Sequence, residues 1–296
     1  MTPQKPKVTI GMPVYNGADY LPATLKSLLN QTFTDFELVI SDNASTDNSE
    51  QICREFATKD SRTRYFRNAR NIGASDNYNA VYFLAKGEYF KWASSNDICA
   101  PDFIERCVKV LDERPDVVIS YPMTRLITNT IEDAQDYDEN LDVTAISACE
   151  RFKSFMKNIK LNNVMNGVIR TNALRHSAMI KTFFNSDTSL MAELALYGKF
   201  VQVPQTYFYR RMDPDTATKL KSAEEVLKHY DPELKNLMLF QNWKMHIEMW
   251  KAVWRAPVTR IEKACLYRYL VRRLAWSRRD LIGDITQSFR KLAHID

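Results

Sequence analysis

The sequence has no apolar run that approaches the roughly 20 residues required for a membrane-spanning helix. Its first residues, MTPQKPK, also lack the apolar segment of a secretory signal peptide. Both absences predict a cytoplasmic protein that is not exported by a signal peptide and does not cross a bilayer. With 45% apolar and 26% charged residues, the 296-residue chain is long enough for one large or two modest globular domains.

Cysteine and histidine are scarce, and neither occurs in a reactive or metal-binding pattern. The five cysteines include no CxxC pair and are odd in number, which predicts reduced thiols in a cytosol-like compartment. The four histidines lack the spacing of metal ligands. A histidine-based metal site and a Cys/His nucleophile are therefore disfavoured.

Buried β-rich segments alternate with amphipathic helices in the first 120 residues. The strand segments lie at about residues 7–13, 36–41, 64–66, 88–92 and 117–120. Helices of about 10 to 15 residues between such strands are typical of βαβ units, so we expect an α/β fold with a mostly parallel sheet.

The pattern changes after about residue 133. We predict a strand over 163–169, a helix over 187–197 and an alternating strand over 200–209. The polar, aperiodic segment 210–222 is predicted to be a mobile loop. From residue 223 onward the pattern is helical, with a break at Pro257.

The segment EYFKWASSNDICAP, at residues 88–101, is predicted to form a strand, a polar loop and the start of a helix. Ligands of open α/β sheets bind at such carboxyl ends of strands. Asn96 and Asp97 lie in this loop. One carboxylate beside amide and hydroxyl oxygens suits a hard divalent cation that also binds phosphate oxygens and water, and it suits zinc poorly.

Four motifs occur in an order that is found in a known family. They are VTIGMPVYNGADYLPATLKSLLNQTFTDFELVISDNASTDNS, NIG at 71–73 followed by Asn79-Ala80 and AKGEYF, SSNDICAP, and NSDTSLMAEL near residue 187. Together they resemble the family-2 glycosyltransferases of the GT-A fold over about residues 7–210.

The resemblance implies an α/β, GT-A type domain over residues 1–215, in which helices flank a mostly parallel nucleotide-binding sheet. Its nucleotide-sugar half would span about residues 1–120 and its acceptor half about residues 121–215. Residues 216–296 would then form a helical, basic and aromatic C-terminal extension.

The resemblance assigns the nucleotide to residues around the first two strands and the polar loop. Asp42 ends a strand beside the crevice, where its carboxylate can accept the imide N–H of uracil or thymine, and Tyr15 can stack on the base. The local sequence alone favours a simple turn at Asp42 and Asn43, with Tyr15 an exposed ring. The implied nucleotide-binding residues are Pro13, Tyr15, Asn16, Asp42, Asn43, Arg64, Arg67, Ser95 and Asn96.

Asp97 matches the metal-binding aspartate of the family's DxD-type motif. Here the motif reads Ser95-Asn96-Asp97, so its first two positions lack carboxylates. One carboxylate can still hold Mn²⁺ or Mg²⁺ when diphosphate oxygens and water complete the coordination. Two alternatives stay open: a weakly active or inactive nucleotide-sugar-binding relative, and a turn that is capped by Asn96 and Asp97.

Asp187 matches the family's general base, which takes the proton from the acceptor hydroxyl in an inverting displacement. It equally suits a helix N-cap, and Glu193, predicted on the exposed face of the same helix, is the reserve candidate for the base. The leaving diphosphate also needs cationic partners. Tyr78 stands where the family often has an arginine, so the candidates for that role are Arg64, Arg67, Arg210 and Arg211.

The C-terminal tail combines basic and aromatic residues. From residue 240 to residue 296 it carries 12 Lys and Arg against 5 Asp and Glu. Trp, Tyr and Arg at helical spacing are typical of a helix on an anionic membrane surface, where a lipid-linked acceptor would be found. No nucleic-acid-binding motif accompanies them. The alternative is a helical subdomain or a homodimer face with the aromatic residues inside.

The sequence therefore predicts an inverting transferase that moves a sugar from a nucleoside diphosphate sugar to a hydroxyl of a glycan or lipid-linked glycan. We expect a role in surface polysaccharide or lipopolysaccharide synthesis, in the cytoplasm and peripheral on the inner face of the cell membrane. A dinucleotide-dependent oxidoreductase is the weaker alternative, because MPVYN follows the first strand where that fold needs a GxGxxG turn.

Overall fold

The computed structural model describes residues 5–139, 141–212 and 239–293. Nine strands of this part of the chain form one sheet in the order β3-β2-β1-β4-β8-β6-β9-β5, and β7 pairs with β6. The strands are β1 (Val8–Val14), β2 (Phe36–Asp42), β3 (Thr63–Arg67), β4 (Tyr89–Trp92), β5 (Ile98–Cys99), β6 (Val117–Ile127), β7 (Gln135–Tyr137), β8 (Val168–Arg170) and β9 (Lys199–Arg211).

Six of these nine strands run in one direction. Strands β1 to β4 pair in parallel, and so do β6 and β9. Strand β8 is antiparallel to both β4 and β6, which gives the two groups the same direction. All residues of β1 and β2 are buried, as expected for parallel strands that helices cover on both faces. The predicted α/β fold with a mostly parallel sheet is confirmed.

Helices follow most of the strands. The predicted helix after the polar loop is present and buries the face that its pattern predicts, namely Phe103, Ile104, Cys107, Val108 and Leu111. None of the helices in the described residues has the length and apolar composition needed to cross a bilayer. The α-helices are α1 (Leu21–Leu29), α2 (Ser49–Lys59), α3 (Ala74–Phe83), α4 (Phe103–Glu113), α5 (Ala148–Asn158), α6 (Thr171–Arg175), α7 (Ser186–Tyr197), α8 (Gln241–Arg255), α9 (Arg260–Trp276) and α10 (Arg278–Ala293).

Several short elements differ from the sequence prediction. Residues 163–169, predicted as one strand, form a 3₁₀ helix (Asn163–Asn166) followed by the three-residue β8. Strands β5 and β7 escape prediction because two or three residues carry no periodic signal. Strand β9 extends through Arg211, so the predicted loop at 210–222 begins inside a strand, and its residues 213–222 lie outside the described residues.

The C-terminal helices pack into the same hydrophobic cluster as the second half of the sheet. Met249 of α8 and Leu266 and Leu270 of α9 join residues of β6, α5 and α7 in this cluster. Trp250 stacks on Tyr267 with ring centroids 4.9 Å apart. The predicted domain boundary after residue 215 lies outside the described residues.

A disulfide joins Cys149 of α5 to Cys265 of α9, with a Cα–Cα distance of 6.3 Å and a sequence separation of 116 residues. The expectation that all five thiols are reduced is therefore wrong. No local pattern marks this pair, because the two cysteines are 116 residues apart and their helices meet only when the chain folds. Cys53, Cys99 and Cys107 are free and buried.

Candidate functional site

The carboxyl ends of β1 to β4 meet at one edge of the sheet. The parallel register places Val14, Asp42 and Arg67 side by side at this edge. The polar loop at 93–97 leaves β4, which pairs with β1. Because ligands of open α/β sheets bind in the crevice formed by such loops, we locate the candidate site here.

Asp42 is completely buried at the end of β2 and has three hydrogen-bond donors. One of its oxygens accepts from the Ser45 N–H at 2.9 Å, and the other accepts from the Tyr65 hydroxyl at 2.8 Å and from the Arg67 guanidinium. Burial, and then the bond to Asp42, raise the pKa of the Tyr65 phenol, so it remains a donor. Arg67 is 30% exposed and Asp42 is 0% exposed, so this edge presents a guanidinium to solvent and not a carboxylate.

The loop after β1 is tied to the loop after β2 through Asn16. The Asn16 N–H donates to Ser45 Oγ at 3.0 Å, and its side-chain oxygen accepts from the Thr46 N–H at 2.8 Å. The φ of Asn16 is 49°, a left-handed conformation that asparagine tolerates better than most residues. Asn16 therefore shapes the loop. Tyr15 beside it is half exposed at the rim, whereas Pro13 is buried in β1.

Asn43 is buried and joins the loop after β2 to the NIG motif by hydrogen bonds of its side chain. Its amide nitrogen donates to Asn71 Oδ1 at 2.7 Å. Its oxygen accepts from the Ile72 N–H at 2.9 Å and from Asn68 Nδ2 at 3.2 Å. Both ends of the Asn43 amide are thus engaged within the protein, and the residue orders the loops around the site.

Asp97 is buried in the polar loop, while Ser95 and Asn96 beside it are partly exposed. The Asp97 carboxylate accepts from the backbone N–H of Arg211 at 2.8 Å. Burial raises the pKa of Asp97, whereas the Arg211 hydrogen bond and the charge of Arg210 lower it. A bound cation would favour the ionised form of this carboxylate.

Arg211 is buried at the end of β9 and not in a loop, and its side chain acts as a clamp between β9 and the polar loop. Its guanidinium donates to the carbonyl oxygens of Asn96 at 3.1 Å and Asn129 at 2.6 Å, and it lies 4.4 Å from the centroid of the Tyr20 ring. These contacts hold the end of β9 against the polar loop. The predicted contact of Arg211 with the diphosphate would require this clamp to open.

Asp187 lies in the first turn of α7 and is partly exposed. The N-cap is Asn185, so the alternative role of Asp187 as the cap is wrong. Asp187 Oδ2 accepts from Asn162 Nδ2 at 2.8 Å. Asn162 is buried with a φ of 53°, and its own side-chain oxygen has no hydrogen-bond partner among the described residues. The adjacent Asn163 accepts from Arg210 at 2.6 Å. The turn formed by Asn162 and Asn163 therefore contacts two residues of the predicted site, Asp187 and Arg210.

Glu193, the reserve candidate for the base, lies inside the protein and not on the exposed face of α7. It is 1% exposed and forms two hydrogen bonds with Arg255, at 2.9 and 3.0 Å. It also accepts from the Ala178 N–H at 3.0 Å. Glu193 therefore joins α7 to α8 and has a structural role.

Tyr78 of α3 is partly exposed, and the charges of both predicted site carboxylates influence its phenol. Burial raises the pKa of the Tyr78 phenol, and the charges of Asp97 and Asp187 raise it further. A hydrogen bond with Ser94 and the charge of Arg210 lower it. Hydrogen bonds connect the same groups, since Asn162 donates to Asp187, Arg210 donates to the adjacent Asn163, and the Arg211 N–H donates to Asp97. The sequence marks this position in one way, since Tyr78 stands where the family-2 glycosyltransferases often have an arginine.

Arg64 lies away from this cleft. Its guanidinium pairs with Glu37 at 2.7 Å and donates to the Leu84 carbonyl oxygen at 3.2 Å. Glu37 precedes Asp42 by five residues along β2, which at about 3.3 Å per residue is roughly 16 Å from the carboxyl edge. The structure does not bring Arg64 to the site, and we leave it out of the proposal below.

The described residues contain no group of three or more His, Cys, Asp and Glu side chains that could hold a metal ion. A cation at Asp97 would take its remaining ligands from substrate phosphates and water, an arrangement that Mg²⁺ commonly adopts in nucleotide sites. The single carboxylate beside Ser95 and Asn96 oxygens fits such a cation.

A cavity of about 710 Å³ lies at the opposite edge of the sheet. It is lined by Val117 and Val118 at the start of β6, together with Arg170, His176 and Trp254 among others. None of the predicted site residues lines it. We therefore keep the candidate site at the carboxyl edge, where the polar loops converge.

Known proteins resemble this chain in both sequence and fold. GlyG, a glycosyltransferase of Streptococcus pneumoniae serotype 4, is 34% identical over 113 residues, which are 38% of this chain and 38% of GlyG. S. aureus TarS in complex with UDP has a TM-score of 0.65 at 16% identity over 92% of this chain and 73% of that chain. The mannosyltransferase PcManGT from Pyrobaculum calidifontis, in complex with GDP-Man and Mn²⁺, has a TM-score of 0.55 at 14% identity over 97% of this chain and 88% of that chain.

The structural likeness confirms the predicted GT-A type fold with its C-terminal helices. The sequence match to GlyG spans well under two thirds of that protein. A model of the family described as glycosyl transferase family 2 matches residues 9–184. These are 176 of 296 residues, more than half of the chain, and the protein therefore belongs to glycosyl transferase family 2.

Proposed function

We propose that this glycosyltransferase moves a sugar from a nucleoside diphosphate sugar to a hydroxyl group of a glycan or lipid-linked glycan, with inversion at the anomeric carbon. The observation that carries the proposal is a short chain of hydrogen bonds that links the two carboxylates. Asp187 accepts from Asn162, the adjacent Asn163 accepts from Arg210, and the N–H of the next residue, Arg211, donates to Asp97. An inverting displacement needs one group at the leaving diphosphate and another at the attacking hydroxyl, within one cleft.

The nucleotide is proposed to bind over the loops after β1 and β2. Tyr15 offers a half-exposed ring for stacking on the base. One oxygen of Asp42 has a single donor, Ser45, so it retains acceptor capacity for a base N–H once Arg67 moves aside. The UDP and GDP-Man in the two similar structures support a nucleoside diphosphate donor. The walls of this site would be formed by Pro13, Asn16, Asn43, Ser95 and Asn96.

We place Mn²⁺ or Mg²⁺ at Asp97. When bound, the cation would neutralise charge on the leaving diphosphate. Arg210, whose charge reaches Asp97 and Tyr78, would add a fixed positive charge on the same side of the cleft. The Mn²⁺ in the mannosyltransferase structure supports a divalent cation.

Asp187 is proposed to accept the proton of the acceptor hydroxyl. Asn162 holds Oδ2 of this carboxylate, which leaves Oδ1 for the acceptor. Each carboxylate oxygen has two lone pairs, so the Asn162 bond orients the group without using up its acceptor capacity. Asn162 is thus a positioning residue.

We further propose that residues 1–215 form the catalytic unit and residues 216–296 a helical extension, and that the enzyme works in the cytoplasm in surface polysaccharide or lipopolysaccharide synthesis. A lipid-linked acceptor would bring it to the inner face of the cell membrane. Family membership removes the support for an oxidoreductase.

Calorimetric titration of UDP, GDP, TDP, CDP and ADP, with and without Mn²⁺, tests the donor site. We expect one nucleotide to bind, and Mn²⁺ to tighten its binding to the natural protein and to the control Asp136→Ala, whose residue is exposed on β7. In Asp97→Ala the effect of Mn²⁺ should disappear. Equal binding with and without Mn²⁺ would remove the metal from the proposal, and the absence of any nucleotide binding would overturn it.

Turnover tests the catalytic part separately. The sugar donor of the nucleotide that binds is incubated with a panel of glycan and lipid-linked acceptors, and nucleotide release is followed. We expect turnover in the natural protein and its loss in Asp187→Asn, which keeps the size of the side chain. Tight donor binding without turnover on any acceptor would instead identify an inactive nucleotide-sugar-binding relative.

A further inference from the structure

The outer face of α9 is both apolar and basic. Its exposed side chains recur every three or four residues, which places them on one side of the helix. The apolar ones include Ile261, Val271 and Trp276, and Trp276 is 69% exposed at the end of the helix. Arg268 and Arg272 lie between them on the same face.

The adjoining helix α10 repeats this combination. Ile282 and Phe289 are exposed, seven residues apart and therefore on one side of the helix. Arg278, Arg279 and Arg290 are exposed around them. Only Ser277 separates α9 from α10, so the two apolar and basic faces follow each other directly.

Positive charge on these two faces is not balanced by acidic side chains. Asp280 is exposed, but Asp284 is buried and accepts the backbone N–H groups at the start of α8. Glu262 forms the capping box of α9 with Thr259. None of the exposed arginines between residues 260 and 290 forms an ion pair with a described residue; they are Arg260, Arg268, Arg272, Arg278, Arg279 and Arg290.

The inner aromatic residues hold these helices in place. The outer Trp276 and Phe289 touch Tyr269 and Phe240 edge-on, with ring centroids 6.2 and 6.3 Å apart, yet they remain 69% and 60% exposed. Trp250 stacks on Tyr267, and the Trp243 indole N–H donates to the Leu281 carbonyl oxygen at 3.1 Å. Scattered exposed apolar residues need no explanation, but five on two basic helix faces indicate an interaction surface.

Charge decides which partner fits. A second copy of the chain in a twofold contact would set this face against itself, and the six arginines would then face six more with only Asp280 to offset them. A nucleic acid would use the arginines but not the exposed Ile, Val, Trp and Phe side chains. An anionic lipid surface uses both, because apolar side chains enter the headgroup region while arginines meet the lipid charges.

We propose that the arginine faces of α9 and α10 bind membranes that contain anionic phospholipids, with Trp276, Ile282 and Phe289 entering the headgroup region. This inference stands on the surface alone and does not depend on the transferase reaction. Its test contains no sugar substrate, so its failure and that of the proposed function are distinguishable.

The test is co-sedimentation of the full chain with vesicles of phosphatidylcholine alone or mixed with phosphatidylglycerol, at low and high NaCl. We expect binding to the mixed vesicles that weakens at high salt. Each arginine near the surface contributes about fivefold to the partition coefficient, so Arg272→Gln, Arg278→Gln and Arg279→Gln together should lower it about 100-fold. The matched control removes three exposed charges from α2 and α4, with Lys59→Gln, Arg106→Gln and Lys109→Gln, and should bind like the natural protein.

A second measurement locates the contact. Brominated phosphatidylcholine in the mixed vesicles should quench the tryptophan fluorescence, and the quenched component should be lost in Trp276→Phe. Equal binding to neutral vesicles, or equal effects of the two triple variants, would overturn the proposal. The proposal would also be overturned if the natural protein, with normal thermal unfolding, failed to bind vesicles. A dimer through this face in gel filtration, together with no vesicle binding, would be one such result.

Discussion

The hydrogen bond from Asn162 to Asp187 offers the sharpest test of the proposed base. Asn162→Gly removes the donor and keeps the left-handed backbone, because glycine adopts a φ of 53° without strain. Asn162→Ala removes the same donor and adds a backbone cost of about 1 kcal/mol. The two variants therefore separate the loss of the hydrogen bond from the strain of the turn.

The size of the effect follows from the charge of the acceptor. A hydrogen bond to a charged group contributes about 1.5–3 kcal/mol. If that contribution is made in the transition state, kcat should fall by about 10- to 150-fold. KM for the donor should change little, because Asp97 and the nucleotide loops are untouched. Thermal unfolding should show a larger loss of stability for Asn162→Ala than for Asn162→Gly.

The assay is steady-state turnover with the donor and acceptor that the panels identify. The matched control is Asn158→Ala, which removes an asparagine whose amide donates to Ser154 Oγ at 3.2 Å, outside the cleft. A natural kcat in stable Asn162→Gly would refute the positioning role. Unchanged turnover in Asp187→Asn would refute the base assignment itself.

Three further predictions concern stability. Burial raises the pKa of Asp97 above its ordinary value of 3.8, so the folded protein loses stability as pH rises from 3.8 to the raised pKa. Asp97→Asn should therefore raise the unfolding temperature at neutral pH and leave it unchanged below pH 3.8. Arg255→Ala should lower the unfolding free energy by about 3–5 kcal/mol in urea, because it leaves the buried Glu193 carboxylate without its cation. Reducing the Cys149–Cys265 disulfide should lower it by about 4–5 kcal/mol, since the bond closes a loop of 116 residues.

Each of these has a control and a contrary outcome. A metal-free Asp97→Asn that is equally stabilised at acidic and neutral pH would rule out the titration of this carboxyl as the cause. Lys251→Ala removes an exposed partner of Glu248 on α8 and should change stability by less than about 1 kcal/mol, so an equal loss in both variants would contradict the Arg255 argument. Reductant should not change the unfolding free energy of Cys149→Ser, which lacks the disulfide. A change in that variant would show that the reductant acts at some other site.

The elements around the candidate site were predictable because their signals are local. Strands β1 and β2 are continuous apolar segments, and α4 carries its buried residues at helical spacing. The position of Asp42 at a strand end follows from the same patterns. The functional roles of Asp42, Asp97 and Asp187 remain predictions, and the structure adds which groups each of them contacts.

Other features of the site depend on contacts between distant segments, which no local pattern records. Asn162 and Asp187 are 25 residues apart, and Asp97 and Arg211 are 114 apart. Glu193 has the spacing of an exposed helix residue until α8 covers it with Arg255. The same is true of the tail, where composition cannot separate the inward Trp250 from the outward Trp276.

The sequence by itself determined the α/β fold, the order of the main strands and helices, and the family, because periodicity and ordered motifs are properties of neighbouring residues. Only the tertiary structure decided that Arg67 and not Arg64 stands at the carboxyl edge, that Asn162 contacts Asp187, and that a disulfide joins α5 to α9. Those outcomes depend on how helices and strands pack, and packing brings together residues that the chain keeps far apart.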